Sequence, residues 1–306
     1  FSAKLAVKPF LVKNHNDNSI ETIVQDSLTN LYLIDSEGQI LWKDSIGDLI
    51  TSEINQIDFY KNRKLQYLFT TKNKLHLVDR NGNYVEGFPF SLKHEASNLS
   101  VVDYDNSKKY RFVIEDGNGN IFTYDKSINN LAGWQPRKVQ GALSESIKHL
   151  RVRGKDYMIA IQKNGTINIL NRRGEMQKGF PLNLDVELKS EIFIASGADT
   201  KTTLINVVSN EGRLITFNLD GKVESQIDLY KPSKESIFRL VTSSSTKTFI
   251  IYRFDKNRLA ILNKKGEVLF EKDYINSDIH YVQFYDLGVS NEVYVIHDNR
   301  NSQISL

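Results

Sequence analysis

Residue types that perform chemistry are sparse in this chain and seldom stand at working distances. Its six histidines, at positions 15, 76, 94, 149, 280 and 297, include no pair at His-x-His or His-x3-His spacing, so no local metal-binding set is written in the sequence. Cysteine is absent, which removes disulfides, thiolate metal sites and a cysteine nucleophile, and fits reducing and oxidising compartments alike. No Gly-x-Ser-x-Gly elbow, Walker loop or Rossmann fingerprint occurs. Asp116-Gly117-Asn118-Gly119-Asn120 has the glycine density of a phosphate loop, but strand-like residues flank it and no helix follows to supply a dipole, so it reads as a hairpin turn. Neither a catalytic set nor a metal nor a cofactor is expected.

What remains is recognition chemistry. The run Lys148-His149-Leu150-Arg151-Val152-Arg153-Gly154-Lys155 follows Arg137-Lys138 and precedes Arg172-Arg173. Such a cluster attracts an acidic protein or an anionic glycan, unless its charges are consumed in a salt-bridged rim. Trp134 lies in the most irregular stretch, 127–145. An exposed indole there would anchor a protein partner, and the competing reading is an aromatic wedge between structural units. The expected partner-binding residues are therefore Trp134, Arg137, Lys138, Arg151 and Arg153.

These residues must be positioned by a repeating element. Leu75-His76-Leu77-Val78-Asp79-Arg80-Asn81-Gly82 is an alternating apolar run ending in a tight turn, and a second short run follows it, the pattern of a β-hairpin. Equivalent stretches begin at Leu31, Leu75, Ile121, Ile167, Leu214 and Leu259, and one further step reaches Ile304. A unit of this length with several short strands is the signature of a β-propeller blade. The expected fold is all-β: one seven-bladed propeller domain over 1–306, with four-stranded antiparallel blades near 8–47, 52–92, 97–141, 146–184, 190–229, 236–273 and 278–306. The outermost strands of the second and fourth blades are expected at 84–88 and 176–180, and the third blade lacks the expected hairpin glycine. Because the last unit stops after its third strand, residues 1–7 are expected to close it as an outer strand and cover the free edge. On this layout His149 and His280 both fall on first, channel-lining strands and form the histidine pair to inspect as channel candidates.

The second unit, from Ile57-Asp58 through 65–71 to Asp79-Arg80-Asn81-Gly82 and Gly87-Phe88-Pro89, resembles the repeats of quinoprotein-like and FG-GAP (VCBS-type) propellers. Its Gly-aromatic-Pro corner returns in register at Gly133-Trp134-Gln135-Pro136 and Gly179-Phe180-Pro181. The phrase 64–70 with its Asp-Arg-Asn-Gly turn also resembles large envelope proteins of the Bacteroidetes type. The FG-GAP resemblance implies calcium loops of the form Asp-x-Asp-x-Asp-Gly, but Asp103-Tyr104-Asp105-Asn106-Ser107-Lys108 lacks the third acid and gains lysine. Quinoprotein dehydrogenases carry a tryptophan in most blades, whereas this chain has only Trp42 and Trp134, which speaks against a quinone site.

Forty basic against 37 acidic residues give a net charge of +3, spread along the chain, with no footprint for nucleic acid. No apolar run approaches the roughly 18 residues needed to cross a bilayer, so no membrane insertion by this segment is expected. The chain opens on Phe1 rather than Met, which points to a processed product or an excised piece with any signal or anchor upstream. The functional expectation is a non-catalytic protein-interaction scaffold in a bacterial cell-envelope assembly, periplasmic or envelope-associated. The alternatives are a glycan-binding module and a quinoprotein-like or carbohydrate-active enzyme with its site in a central channel.

Overall fold

The computed structural model describes residues 3–134, 137–139, 141–243, 248–274, 279–286, 292–298 and 303–305, with the backbone alone at 137–138, 279–280, 297–298 and 303–305. All regular structure among them is β. Seven sheets follow one another along the chain, spanning 10–45, 55–91, 98–138, 148–183, 193–228, 237–273 and 279–305. Within each sheet, neighbours in space are neighbours in sequence, and six sheets have four strands while the last has three described ones. The fold is a seven-bladed β-propeller.

The middle strands carry the burial. Gln66–Thr70 is buried at all five positions and Lys74–Val78 at four, whereas the outer strand Val223–Asp228 is exposed at five of six. Such strands, covered on both faces, read as continuous apolar runs. Two compact units are distinguished: residues 1–142 with 146–149 and 172–174, and the remainder. In the first, Ile23, Leu33, Tyr67 and Phe69 join the first and second sheets, and Leu68, Leu77, Phe112 and Ile114 join the second and third. In the second, Ile169 packs with Ile215 and Phe217, and Val208 with Phe238 and Ile251.

One turn is used repeatedly between the third and fourth strands. Asp79 Oδ1 accepts hydrogen bonds from the backbone N–H groups of Asn81 (2.8 Å) and Asn83 (2.9 Å), and Asn263 does the same for Lys265 (2.9 Å) and Glu267 (3.1 Å). The short side chain satisfies turn donors that no ladder reaches. Asp116 holds Asn118 and Asn120 in the same way, so the glycine-rich stretch 116–120 is a hairpin turn.

Two strand expectations are corrected. Tyr84 and Met176 each make a single bridge, to Val78 and Leu170, and the outer strands proper are Phe90–Ser91 and Leu182–Asn183. The Gly-aromatic-Pro corner is the reason: Gly87 and Gly179 turn the backbone at φ 85° and 91°, and Pro89 and Pro181 have no N–H for the ladder. Of the stretch 1–7 expected to close the last sheet, residues 4–6 pair with the first sheet, and residues 1–2 and 299–302 lie outside the described residues. Ala6 N donates to Gln25 O and Ser27 N to Lys4 O, both at 2.8 Å, and Leu5 bridges Asp26.

Candidate functional site

The third sheet departs from the common turn, and the departure shapes a surface. Its strand Asn120–Tyr124 ends in the hairpin 125–130. Asp125 Oδ1 accepts from the N–H groups of Ser127 (2.8 Å) and Asn129 (3.0 Å), as in the other hairpins. Where those place Gly82, Gly221 and Gly266 at positive φ, this one places Ile128 at φ 62°. A left-handed backbone costs an L-residue about 1–2 kcal/mol, and a β-branched one is the least suited to it.

Ile128 lines a cleft of about 550 Å³ between its hairpin and the corner 86–90 of the second sheet. Phe59, Phe88 and Phe90 form the rest of its apolar wall, with Glu86 at the rim. Phe59 meets Phe88 edge-on at 6.0 Å between ring centroids and Tyr60 at 5.4 Å. The Lys126 ammonium sits 4.2 Å from the centroid of the Phe59 ring and donates to the Phe59 carbonyl. Burial, reinforced by the charge of Lys61 and opposed by Asp58, holds the Lys126 pKa below the usual lysine range. Asp58 is itself engaged: burial pushes its carboxyl up, but Lys108 and the N–H groups of Arg63 and Asn62 outweigh this and hold it low. An apolar wall with a partly desolvated cation is suited to an apolar side chain flanked by acid.

A smaller cleft, about 260 Å³, lies beside Phe122 and Trp134 and is bordered by Lys93, His94 and Asn130. His94, exposed, stacks on Phe122 with centroids 4.4 Å apart and planes 13° from parallel.

The expected site residues fall in both compact units. Trp134 is only 8% exposed; its Nε1 donates to Ile121 O at 3.2 Å, and its ring stands where a Cβ on Gly174 would come within 3.0 Å of it. It is the wedge and not an exposed anchor, because the hairpin glycine of the next sheet leaves space that the indole fills. Arg151 Nη1 pairs with buried Asp156 at 3.4 Å, and Arg153 pairs with Asp199 at 3.2 Å and donates to Ala198 O at 3.1 Å. Both belong to the second compact unit, and Trp134 to the first. Arg137 and Lys138 form a short strand against Ile121 and Asn120, with side chains outside the described residues. Of the channel candidates, His149 meets Tyr104 edge-on at 5.3 Å, and the side chain of His280 lies outside the described residues. Asp103 accepts from Ser107 N (3.1 Å) and Lys108 N (2.8 Å), closing its own loop.

No protein-family model matches the chain, and no curated protein is significantly similar to it in sequence. Solved structures are similar in fold. BBS1N, solved in complex with ARL6DN, superposes with a TM-score of 0.63 at 11% identity, over 97% of this chain and 90% of that one. BamB from Moraxella catarrhalis gives 0.59 at 12% identity, over 94% and 79%. Sqt1 from Saccharomyces cerevisiae gives 0.58 at 10%, over 90% and 78%. These neighbours are β-propellers. Identities this low carry the fold and nothing finer. No helix among the described residues is long and apolar enough to cross a membrane.

Proposed function

We propose that the chain, taken as one propeller domain over 1–306, is a non-catalytic scaffold that holds a protein partner in the cleft between the second and third sheets. The observation that carries this reading is Ile128. An apolar, β-branched side chain is kept at a φ of 62°, where the hairpins starting at Asp79, Asn218 and Asn263 carry glycine, and it is spent on the wall of a cleft. Strain retained at a surface site points to function there. A propeller with a protein partner also has a precedent in fold, since BBS1N was solved in complex with ARL6DN. The occupant is an acidic segment with an apolar anchor: the anchor fills the space between Phe59, Phe88 and Ile128, and the acid meets Lys126 and neighbouring Lys61. An exported location within an envelope assembly belongs to the same proposal, on the likeness of 64–70 to envelope proteins. The basic side chains first singled out, Arg151 and Arg153, are secondary because each already has a carboxylate partner.

The test is fluorescence polarisation with labelled peptides that place Leu or Phe within an acidic run. Binding is expected to weaken with added salt, and Lys126→Glu to weaken it about tenfold or more, while Arg151→Ala with Arg153→Ala changes it little. Equal binding by Lys126→Glu, or equal binding of neutral and basic peptides, would contradict the proposal.

A further inference from the structure

The smaller cleft has a different chemistry from the docking groove and does not depend on it. Its floor and wall are flat rings: Phe122 beneath the stacked His94, with Tyr124 and Trp134 beside them. Its polar groups are unspent. The side chains of Lys93, His94 and Asn130 make no hydrogen bond or ion pair among the described residues, although most other polar side chains around the third-sheet hairpins are committed to turns. Thr123, 2% exposed and part of the same lining, has a hydroxyl without a partner among the described residues, which a buried polar group seldom tolerates.

We infer that this cleft is a saccharide subsite for one acidic pyranose, a hexuronate unit of a larger glycan. A pyranose has an apolar C–H face that lies against aromatic rings and an equatorial rim of hydroxyls that need donors and acceptors in the ring plane. The exposed His94 ring, backed by Phe122, supplies the first, and the Asn130 amide, able to donate and accept at once, supplies the second. Lys93 supplies the charge that separates a uronate from the corresponding hexose, because it is the one lysine in the lining. About 260 Å³ holds one such ring and leaves its neighbours in solvent. No covalent step is involved; the site binds.

The experiment uses the whole chain and short hexuronic-acid oligosaccharides, with the matching neutral hexose oligosaccharides as comparison. Trp42 and Trp134 are the only tryptophans, so Trp42→Phe leaves Trp134 as the sole indole reporter in the cleft wall. Saturable change in its fluorescence with the uronate series is expected. Asn130→Ala should weaken binding about tenfold, and Lys93→Ala should reduce uronate binding to the level of the neutral series. Both positions are exposed, so their variants are expected to fold, and an unchanged melting temperature verifies it. No saturable response to any uronate, equal response to neutral sugars, or unchanged affinity in both variants would overturn the inference. Lys126→Glu, which reverses the charge at Lys126 in the docking groove, is expected to leave this binding intact, so the two sites fail separately.

Discussion

His76 is fully buried between two hydroxyls, with Nε2 3.1 Å from Thr71 Oγ1 and Nδ1 2.8 Å from Tyr84 Oη, and its ring stacks on Phe69 at 5.0 Å. A neutral imidazole donates through one nitrogen and accepts through the other, which suits two hydroxyl neighbours. Burial, with the nearby charge of Lys74 adding and Asp48 opposing, pushes its pKa down to about 4. The unfolded chain therefore takes up this proton near pH 6.5 while the folded chain refuses it until about 4. The stabilisation is complete above pH 6.5 and is lost as the pH falls through the interval to 4, by up to about 3 kcal/mol. Denaturant midpoints measured across that interval should fall with pH in the parent protein, and His76→Gln should flatten the slope even though it lowers stability at neutral pH. An unchanged slope in the variant would assign the acid sensitivity elsewhere.

At the scale of elements, several hairpin glycines lie under a side chain of a neighbouring sheet, as Gly82 lies under Trp42 and Gly174 under Trp134. Trp42 donates through Nε1 to Arg80 O at 2.7 Å and rests on Gly82, where an added Cβ would stand 3.1 Å from the ring. Gly82→Ala meets both the ring and a φ of 87°, and is expected to cost about 1–3 kcal/mol in chemical denaturation; no loss would show that the indole simply slides aside. The hairpins were legible because an Asx residue and a glycine at fixed offset recur with the strand period, and that period alone disclosed seven sheets. The outer strands of the second and fourth sheets were placed too early because the alternating residues before Gly87 and Gly179 look like strand, and only the turn geometry shows that the ladder resumes after the proline. For Trp134 the sequence left the exposed anchor and the wedge both open, since the glycine it covers, Gly174, lies in the following repeat.

Across the whole molecule, the candidate site was nearly invisible in the sequence for a topological reason. Phe59 comes from a loop after the first strand of one sheet, Phe88 from a corner of that sheet and Ile128 from a hairpin of the next, so no window of residues contains the cleft. One signal did exist, the missing glycine of the third hairpin, and the structure shows that the exception and the cleft are the same feature. The basic run at 148–155 drew attention because it is contiguous, yet Arg151 and Arg153 there are answered by Asp156 and Asp199.

Stability and peptide affinity, measured together in Ile128→Gly, test the docking role of Ile128. Relief of the left-handed backbone offsets the lost contact of a partly buried side chain, so the folding free energy is expected to stay within about 1 kcal/mol of the parent. Affinity for the acidic, apolar-anchored peptide is expected to fall about tenfold. Lost stability with unchanged affinity would make Ile128 a packing residue and remove it from the docking site.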